Sequence, residues 1–182
     1  MITSAEREVL LKELAESRER LLGLVQGLSR EQRHYRTAPD RWSIAEIVEH
    51  LATVEDRILG LVQKSLAGAP DSSKHSSMSD QALVADIAGR ITRFPAPDFL
   101  VPTGKWQDDE LWRQFDAARK RTREFAAATD ADLRSHFYRH PVHGDMDCYQ
   151  WLLLLAAHCD RHRTQGEEVK AHAGFPRAAS AG

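Results

Sequence analysis

The sequence predicts an all-α protein, an antiparallel four-helix bundle of one domain over residues 1–182. Three observations carry this. Four long stretches repeat apolar residues at spacings of three and four, the period of a helix with one buried face. No stretch alternates apolar and polar residues convincingly enough to read as a strand. The 182 residues, 42% hydrophobic and 29% charged, suit one domain with a substantial core and exclude a disordered chain. No repeat at a fixed period is present.

The first helix spans residues 4–28, with Leu10, Leu14, Ser17, Leu21, Leu24, Val25 and Leu28 on one stripe. Residues 29–41 break that pattern and end in Ala38-Pro39-Asp40-Arg41, a turn signal. A second helix starts at Ser43. Ser43 and Glu46 stand in capping-box spacing, so hydroxyl and carboxylate can satisfy the exposed amides of the first turn. Ile44, Ile47, Leu51, Val54, Ile58, Leu61 and Val62 continue its buried face towards Gly68.

Residues 68–80 are polar and turn-rich and read as a loop, and a shorter helix is expected over 80–92. Residues 94–106 hold Pro95, Pro97, Pro102 and Gly104, which rules out regular helix through most of that stretch. A long irregular connection between the second and third helices is the kind of segment that serves as a lid or pocket wall. The third helix covers 108–128, with Leu111, Trp112, Phe115, Ala118, Thr122 and Phe125 inward. Its basic run, Arg119 to Arg123, reads as a solvated face. Residues 129–144 form a connector. Asp145 or Asp147 caps the fourth helix, which runs to about His172 and leaves residues 173–182 as a frayed tail.

Composition excludes several functions. A formal net charge of -2 supplies no basic footprint for nucleic acid. No apolar run approaches the ~20 residues that cross a bilayer. The N-terminus turns charged at once, without the apolar stretch of a signal peptide. With Cys148 and Cys159 alone there is no disulfide framework, so a reducing cytoplasm is the expected compartment. Large apolar residues on the first and third helices suggest a homodimer.

Function concentrates in the fourth helix. His158 and His162 lie four residues apart and therefore stack on one helical face. Trp151, Leu155 and Val169 continue roughly the same stripe, so the imidazoles point where the helix meets the rest of the fold. Two neutral imidazoles in this spacing are a chelating pair that lacks a third ligand. His50 lies three residues after Ile47 and four before Val54, on the apolar stripe of the second helix. A buried imidazole must find a partner. One cation could serve all three if the second and fourth helices meet. Spacing alone leaves two other readings open: a hydrogen-bonded core histidine, and a pair at the helix surface near its C-terminus.

Three segments resemble the DinB/YfiT-like superfamily: Trp42-Ser43-Ile44-Ala45-Glu46-Ile47-Val48-Glu49-His50-Leu51, then His140-Pro141-Val142-His143-Gly144, then His158-Cys159-Asp160-Arg161-His162-Arg163-Thr164-Gln165. A Trp-Ser opening with a histidine near the middle of helix two, and an H-x-x-x-H-x-x-Q pattern late in helix four, mark that superfamily. The resemblance covers about residues 10–172, while residues 68–106 match no family pattern. It implies a four-helix bundle holding a divalent metal by His50, His158 and His162. Some relatives look like metal-dependent hydrolases, and others use low-molecular-weight thiols in transferase or isomerase reactions.

Three neutral ligands leave a fourth position for water or substrate. The expected function is a metal-dependent hydrolase or thiol transferase acting on a small molecule. The alternative is a non-catalytic protein that binds a small ligand or a partner. Imidazoles suit Zn, Ni and Fe alike. No general acid or base stands out. Glu46 is explained by its capping box and Glu49 by a solvated face. Glu55 lies about 140° around the helix from His50. Gln165, three residues after His162, could orient a ligand or line the site, or simply cap a packing edge. His140 and His143 flank Pro141 before Gly144 and read as a turn before they read as a pocket edge. Cys159 reads as a small core residue. Cys148, at the start of the fourth helix, is open to a lowered pKa.

Overall fold

A computed structural model describes residues 1–90 and 95–177. In chain order these form α1 (Ser4–Val25), α2 (Arg30–His34), α3 (Ile44–Leu66), α4 (Asp80–Ala88), a 3-10 turn (Asp98–Leu100), α5 (Asp109–Ala128), β1 (Phe137–His140), β2 (Gly144–Asp147) and α6 (Cys148–Ala171). The long helices α1, α3, α5 and α6 make the four-helix bundle that the periodicity predicts. The Ser43 capping box is in place, its hydroxyl accepting from the Glu46 N–H and the Glu46 carboxylate accepting from the Ser43 N–H. Asp147, not Asp145, caps α6.

The connectivity explains the long excursion. Near one end of the bundle the Tyr149 hydroxyl donates to the Glu6 carbonyl, and at the other Lys170 reaches the carbonyl of Leu24, so α1 and α6 run parallel. Gly166 of α6 leaves room for the Leu24 side chain of α1, which a β-carbon there would meet. Arg7, at the start of α1, donates to the carbonyls of Ala126 and Thr129 at the end of α5, so those two run antiparallel. Early residues of α3 (Ala45, Val48) cluster with early residues of α5 (Leu111, Phe115), so α3 and α5 are parallel. Parallel neighbours cannot be joined by a tight turn. A chain leaving α3 must travel back along a 23-residue helix, about 35 Å at 1.5 Å per residue. The connection between α3 and α5 makes that journey, and on the way α4 packs along α6.

The core has two apolar parts with a polar layer between them. Leu10, Leu14, Val62, Leu133 and Leu152 belong to one, and Leu21, Ile47, Phe115 and Cys159 to the other. Between them Arg119, fully buried, spends all its N–H groups. It donates to Glu55 through Nε at 2.7 Å, to the Leu14 carbonyl and Ser17 Oγ at 2.7 Å each, and to the Leu155 carbonyl at 3.3 Å, with a further contact to Glu55 at 2.5 Å. Thr122 donates to the other Glu55 oxygen at 2.8 Å. All four long helices meet at this one guanidinium. From Cys148 through Ala157, α6 is buried on every side, as a helix covered by α1, α3, α4 and β2 must be.

Several local expectations change. The break at 29–41 contains α2, capped by Ser29 and Gln32. The connector before α6 contains an antiparallel hairpin pairing Phe137 with Asp147 and His140 with Gly144. Gly144 has a positive φ of 74°, and its missing β-carbon makes room for Ser77. Arg119, read as solvated, is at the bundle centre, because on α5 it falls on the stripe of Phe115 and Thr122. The helix expected over 80–92 ends at Ala88, and its expected last residues Ile91 and Thr92 lie outside the described residues, as do Phe94 and 178–182. Among the described residues no helix is long and apolar enough to cross a membrane.

Candidate metal centre

Helix α3 places His50 two turns after its cap, 3% exposed and facing α6. Its Nδ1 lies 2.8 Å from the carbonyl oxygen of Leu100. A carbonyl only accepts, so Nδ1 carries the proton and Nε2 the lone pair. The excursion that supplies this carbonyl is itself fastened to α3. Thr103 and Gly104 donate backbone N–H groups to the Glu49 carboxylate at 2.8 and 2.9 Å, and Thr103 Oγ1 adds a contact at 3.3 Å. Glu49 is 3% exposed, a correction to its reading as part of a solvated face. Consecutive residues of α3 thus hold one loop, Glu49 by its amides and His50 by a carbonyl.

Helix α6 brings His158 and His162 against His50. His162 Nδ1 sits 2.9 Å from Gln165 Oε1, which turns its Nε2 inward by the same logic. The Nε2 atoms of His50 and His158 are 3.4 Å apart, and those of His158 and His162 are 3.0 Å apart. One ligand atom from each of the three imidazoles lies within 4.8 Å of the others. Trp42, the residue before the α3 cap, packs against the pair, 4.8 Å from the His50 ring and stacked on His162 at 5.9 Å.

The electrostatics keep these rings neutral. Burial, then His50, pushes His162 down to about 3. Burial, then His162 and His50, takes His158 well below the ordinary histidine value. Burial also lowers His50, against the opposing pull of the Leu100 carbonyl. With Nδ1 protonated on His50 and His162, two inward lone pairs face His158, whose single ring proton can satisfy only one of them. A divalent cation satisfies all three nitrogens, and neutral imidazoles are the state that ligates one. The donor set therefore fits a metal ion.

The three imidazoles open into a groove of about 750 Å³ between α3 and α6. Asp86 of α4 and Arg90 just beyond its end wall one side, Phe99 and Leu100 of the excursion another, and the β1–β2 turn a third. The excursion was legible as a pocket wall. His140 and His143 are both turn residues and groove residues, so the turn reading was incomplete. Their signal was in the sequence as two histidines about a proline, with no way to see what the turn faced. Neither cysteine is placed for chemistry. Cys148 is fully buried and burial pushes its thiol up to about 11, overturning a lowered value, while Cys159 is pushed by burial to about 12. Glu55 is committed to Arg119.

Comparisons with known proteins bear on the family and the fold. Residues 13–165 match the family model described as the DinB superfamily. YuaE, an uncharacterized protein of Bacillus subtilis (strain 168), is 22% identical over 147 residues, covering 80% of this chain and 88% of YuaE. Among solved structures, YfiT from Bacillus subtilis is described as a probable metal-dependent hydrolase with an unusual four-helix bundle topology. It matches with a TM-score of 0.63 at 15% identity, covering 97% of this chain and 92% of YfiT. At that identity the likeness establishes the fold.

Proposed function

The chain belongs to the DinB superfamily, and from that premise we propose that it is a metal-dependent hydrolase of a small molecule, with His50, His158 and His162 holding a divalent cation in the α3–α6 groove. One observation carries the reading. Three imidazole nitrogens converge within 4.8 Å, and the outer nitrogens of His50 and His162 are already engaged by Leu100 and Gln165. Second partners of this type fix the tautomer and orientation of metal-ligating histidines. Zn, Ni and Fe all suit the donor set. When bound, such an ion supplies a Lewis acid and lowers the pKa of a ligated water or thiol. The chain's own residues orient the imidazoles, pack Trp42 against His50 and His162, and shape a groove large enough for a small substrate. The description of YfiT as a probable metal-dependent hydrolase supports the reaction class.

A second reading has its own support. The groove of about 750 Å³ has room for a thiol and an electrophile beside the three imidazoles. A thiol coordinated to a divalent cation held by these imidazoles would be deprotonated outright. That favours, as the alternative, transfer of a low-molecular-weight thiol to an electrophile. Metal analysis of purified protein tests the site: wild type is expected to carry stoichiometric divalent metal, and a His50→Ala/His162→Ala variant to lose it. Equal metal in both would remove the site. Loaded protein is then incubated with simple esters and amides, and with cellular thiols and electrophiles. Metal-dependent hydrolysis supports the first reading and conjugation the second. Neither would make this a ligand-binding protein.

A further inference from the structure

The groove changes character along its length. His50, His158 and His162 line one level of it. Helices α3 and α6 run antiparallel, so a step forward on α3 and a step back on α6 go the same way. One turn along, Val54 of α3 and Leu154 of α6 line the groove with buried apolar side chains. A second turn reaches Arg57, seven residues after His50, on nearly the same face and about 10 Å further by helix rise. The Arg57 guanidinium carbon lies 4.0 Å from the centroid of the Phe99 ring. The residue after Phe99 is Leu100, whose carbonyl meets His50 Nδ1. Arg57, Phe99 and Leu100 are thus parts of one groove wall. The ring contact holds the cation but spends none of its N–H groups. Among the described residues no hydrogen bond or ion pair takes those groups up.

The charge of the groove has a definite sign. Among its described residues Arg41, Arg57, Arg90, Arg139 and Arg161 stand against Asp40 and Asp86, in a chain whose net charge is -2. Partners offset part of this. Arg90 pairs with Glu168, and Arg139 lies 3.5 Å from Asp145. Arg161 donates to the Ile87 carbonyl, and Asp86 lies 3.5 Å from His143 Nδ1. Arg57 has an aromatic ring in place of a carboxylate. A divalent cation held by three neutral imidazoles would add positive charge that its protein ligands do not offset. The compensating negative charge has to arrive with what binds.

We propose that the groove takes a small carboxylate-bearing substrate, with its reacting group at the three imidazoles, an apolar stretch over Val54 and Leu154, and its carboxylate on Arg57. The inference rests on the metal site proposed above and names the class of molecule that site receives. Arg57 selects the substrate and does not touch its reacting atoms. A guanidinium offers a carboxylate two parallel N–H donors, and its planar cation can keep its place on Phe99 while it does so. One guanidinium matches the single charge of a carboxylate. A phosphate monoester carries more charge than one guanidinium offsets.

A binding experiment tests this without requiring turnover. Straight-chain dicarboxylic acids from succinate to sebacate, and the monocarboxylic acids of equal length, are titrated calorimetrically into metal-loaded wild type, Arg57→Met and Arg57→Lys. A carboxylate of either acid can take the open position on the metal, and only the diacid carries a second one for Arg57. At one chain length the diacid should bind wild type about tenfold or more tighter than its monocarboxylic partner, the scale of one charge-assisted pair. Added salt should shrink that advantage, because the guanidinium is exposed. Arg57→Met should lose the advantage while keeping the same bound metal and the same affinity for the monocarboxylic acid, and Arg57→Lys should keep part of it. Loaded wild type that binds both acids alike, or binds neither, overturns the inference. An advantage that survives in Arg57→Met also overturns it. So does an Arg57→Met variant that loses affinity for both acids equally, since Arg57 would then only pin Phe99 and the segment beside it. Wild type that carries no divalent metal overturns the reading beneath, and this inference falls with it.

Discussion

His162 and Gln165 show how an imidazole is aimed by a neighbour on its own helix. Their three-residue separation puts the amide beside the imidazole, and the 2.9 Å contact from Nδ1 to Oε1 keeps the ring proton off the inward nitrogen. Gln165→Leu removes the acceptor with little change in side-chain volume. The expected outcome is a 10- to 100-fold weaker metal affinity, the usual cost of losing such a partner, read by competition with a chelating dye. Unchanged affinity would mean that packing alone orients His162. The stacking of His158 on His162 and the place of Gln165 beside them were legible because helical spacing is a geometric statement in itself. Glu49 and Arg119 were not. Arg119 stands in a basic run and Glu49 is a carboxylate on a helix, so local sequence assigns both to solvent. Only the loop amides that reach Glu49, and the three helices that close around Arg119, reverse that assignment.

The segment around the 3-10 turn acts as a strap over the histidines, and α3 buckles it. A carboxylate accepting two backbone N–H groups in a buried place makes charge-assisted hydrogen bonds, which are about twice as strong as neutral ones. Glu49→Ala leaves the amides of Thr103 and Gly104 without that acceptor and loosens residues 98–105. Two effects should appear together. Hydrogen exchange should rise at Thr103 and Gly104, and metal affinity should fall, because the Leu100 carbonyl that orients His50 belongs to the same segment. Faster exchange with unchanged affinity would separate the strap from the site. Among the elements, the long helices were readable from their period and from the Ser43–Glu46 box. The hairpin was not, since its four-residue strands bury neither face regularly. A two-stranded hairpin is marginal alone, and this one leans on α6, where Trp151 Nε1 donates to the Tyr138 carbonyl at 3.0 Å. α2 carried its signal in Ser29 and Gln32, but five residues are too few to show a period.

At the scale of the whole molecule, a bundle of parallel and antiparallel neighbours has many near-equivalent ways to pack apolar stripes. The polar layer distinguishes among them. Leu14, Ser17, Glu55, Thr122 and Leu155 satisfy Arg119 only if all four long helices share one register. A one-turn slip of any helix, about 5.4 Å, would strand a buried charge. Breaking such a pair by removing one partner costs about 3–5 kcal/mol, which for a chain of this size lowers the melting temperature on the order of 10 °C. Arg119→Met is expected to show that loss, because Glu55 is left 1% exposed with Thr122 as its remaining partner in the layer. The double variant Arg119→Met/Glu55→Leu, which replaces both charges by apolar groups, should recover most of it, since an apolar substitute for a buried pair is often neutral or stabilising. Neither residue lines the groove. Bound metal should therefore survive in the double variant wherever the register does. A double variant that melts like wild type but binds no metal would show that the polar layer sets the register bringing His50 to His158, and not the stability of the bundle.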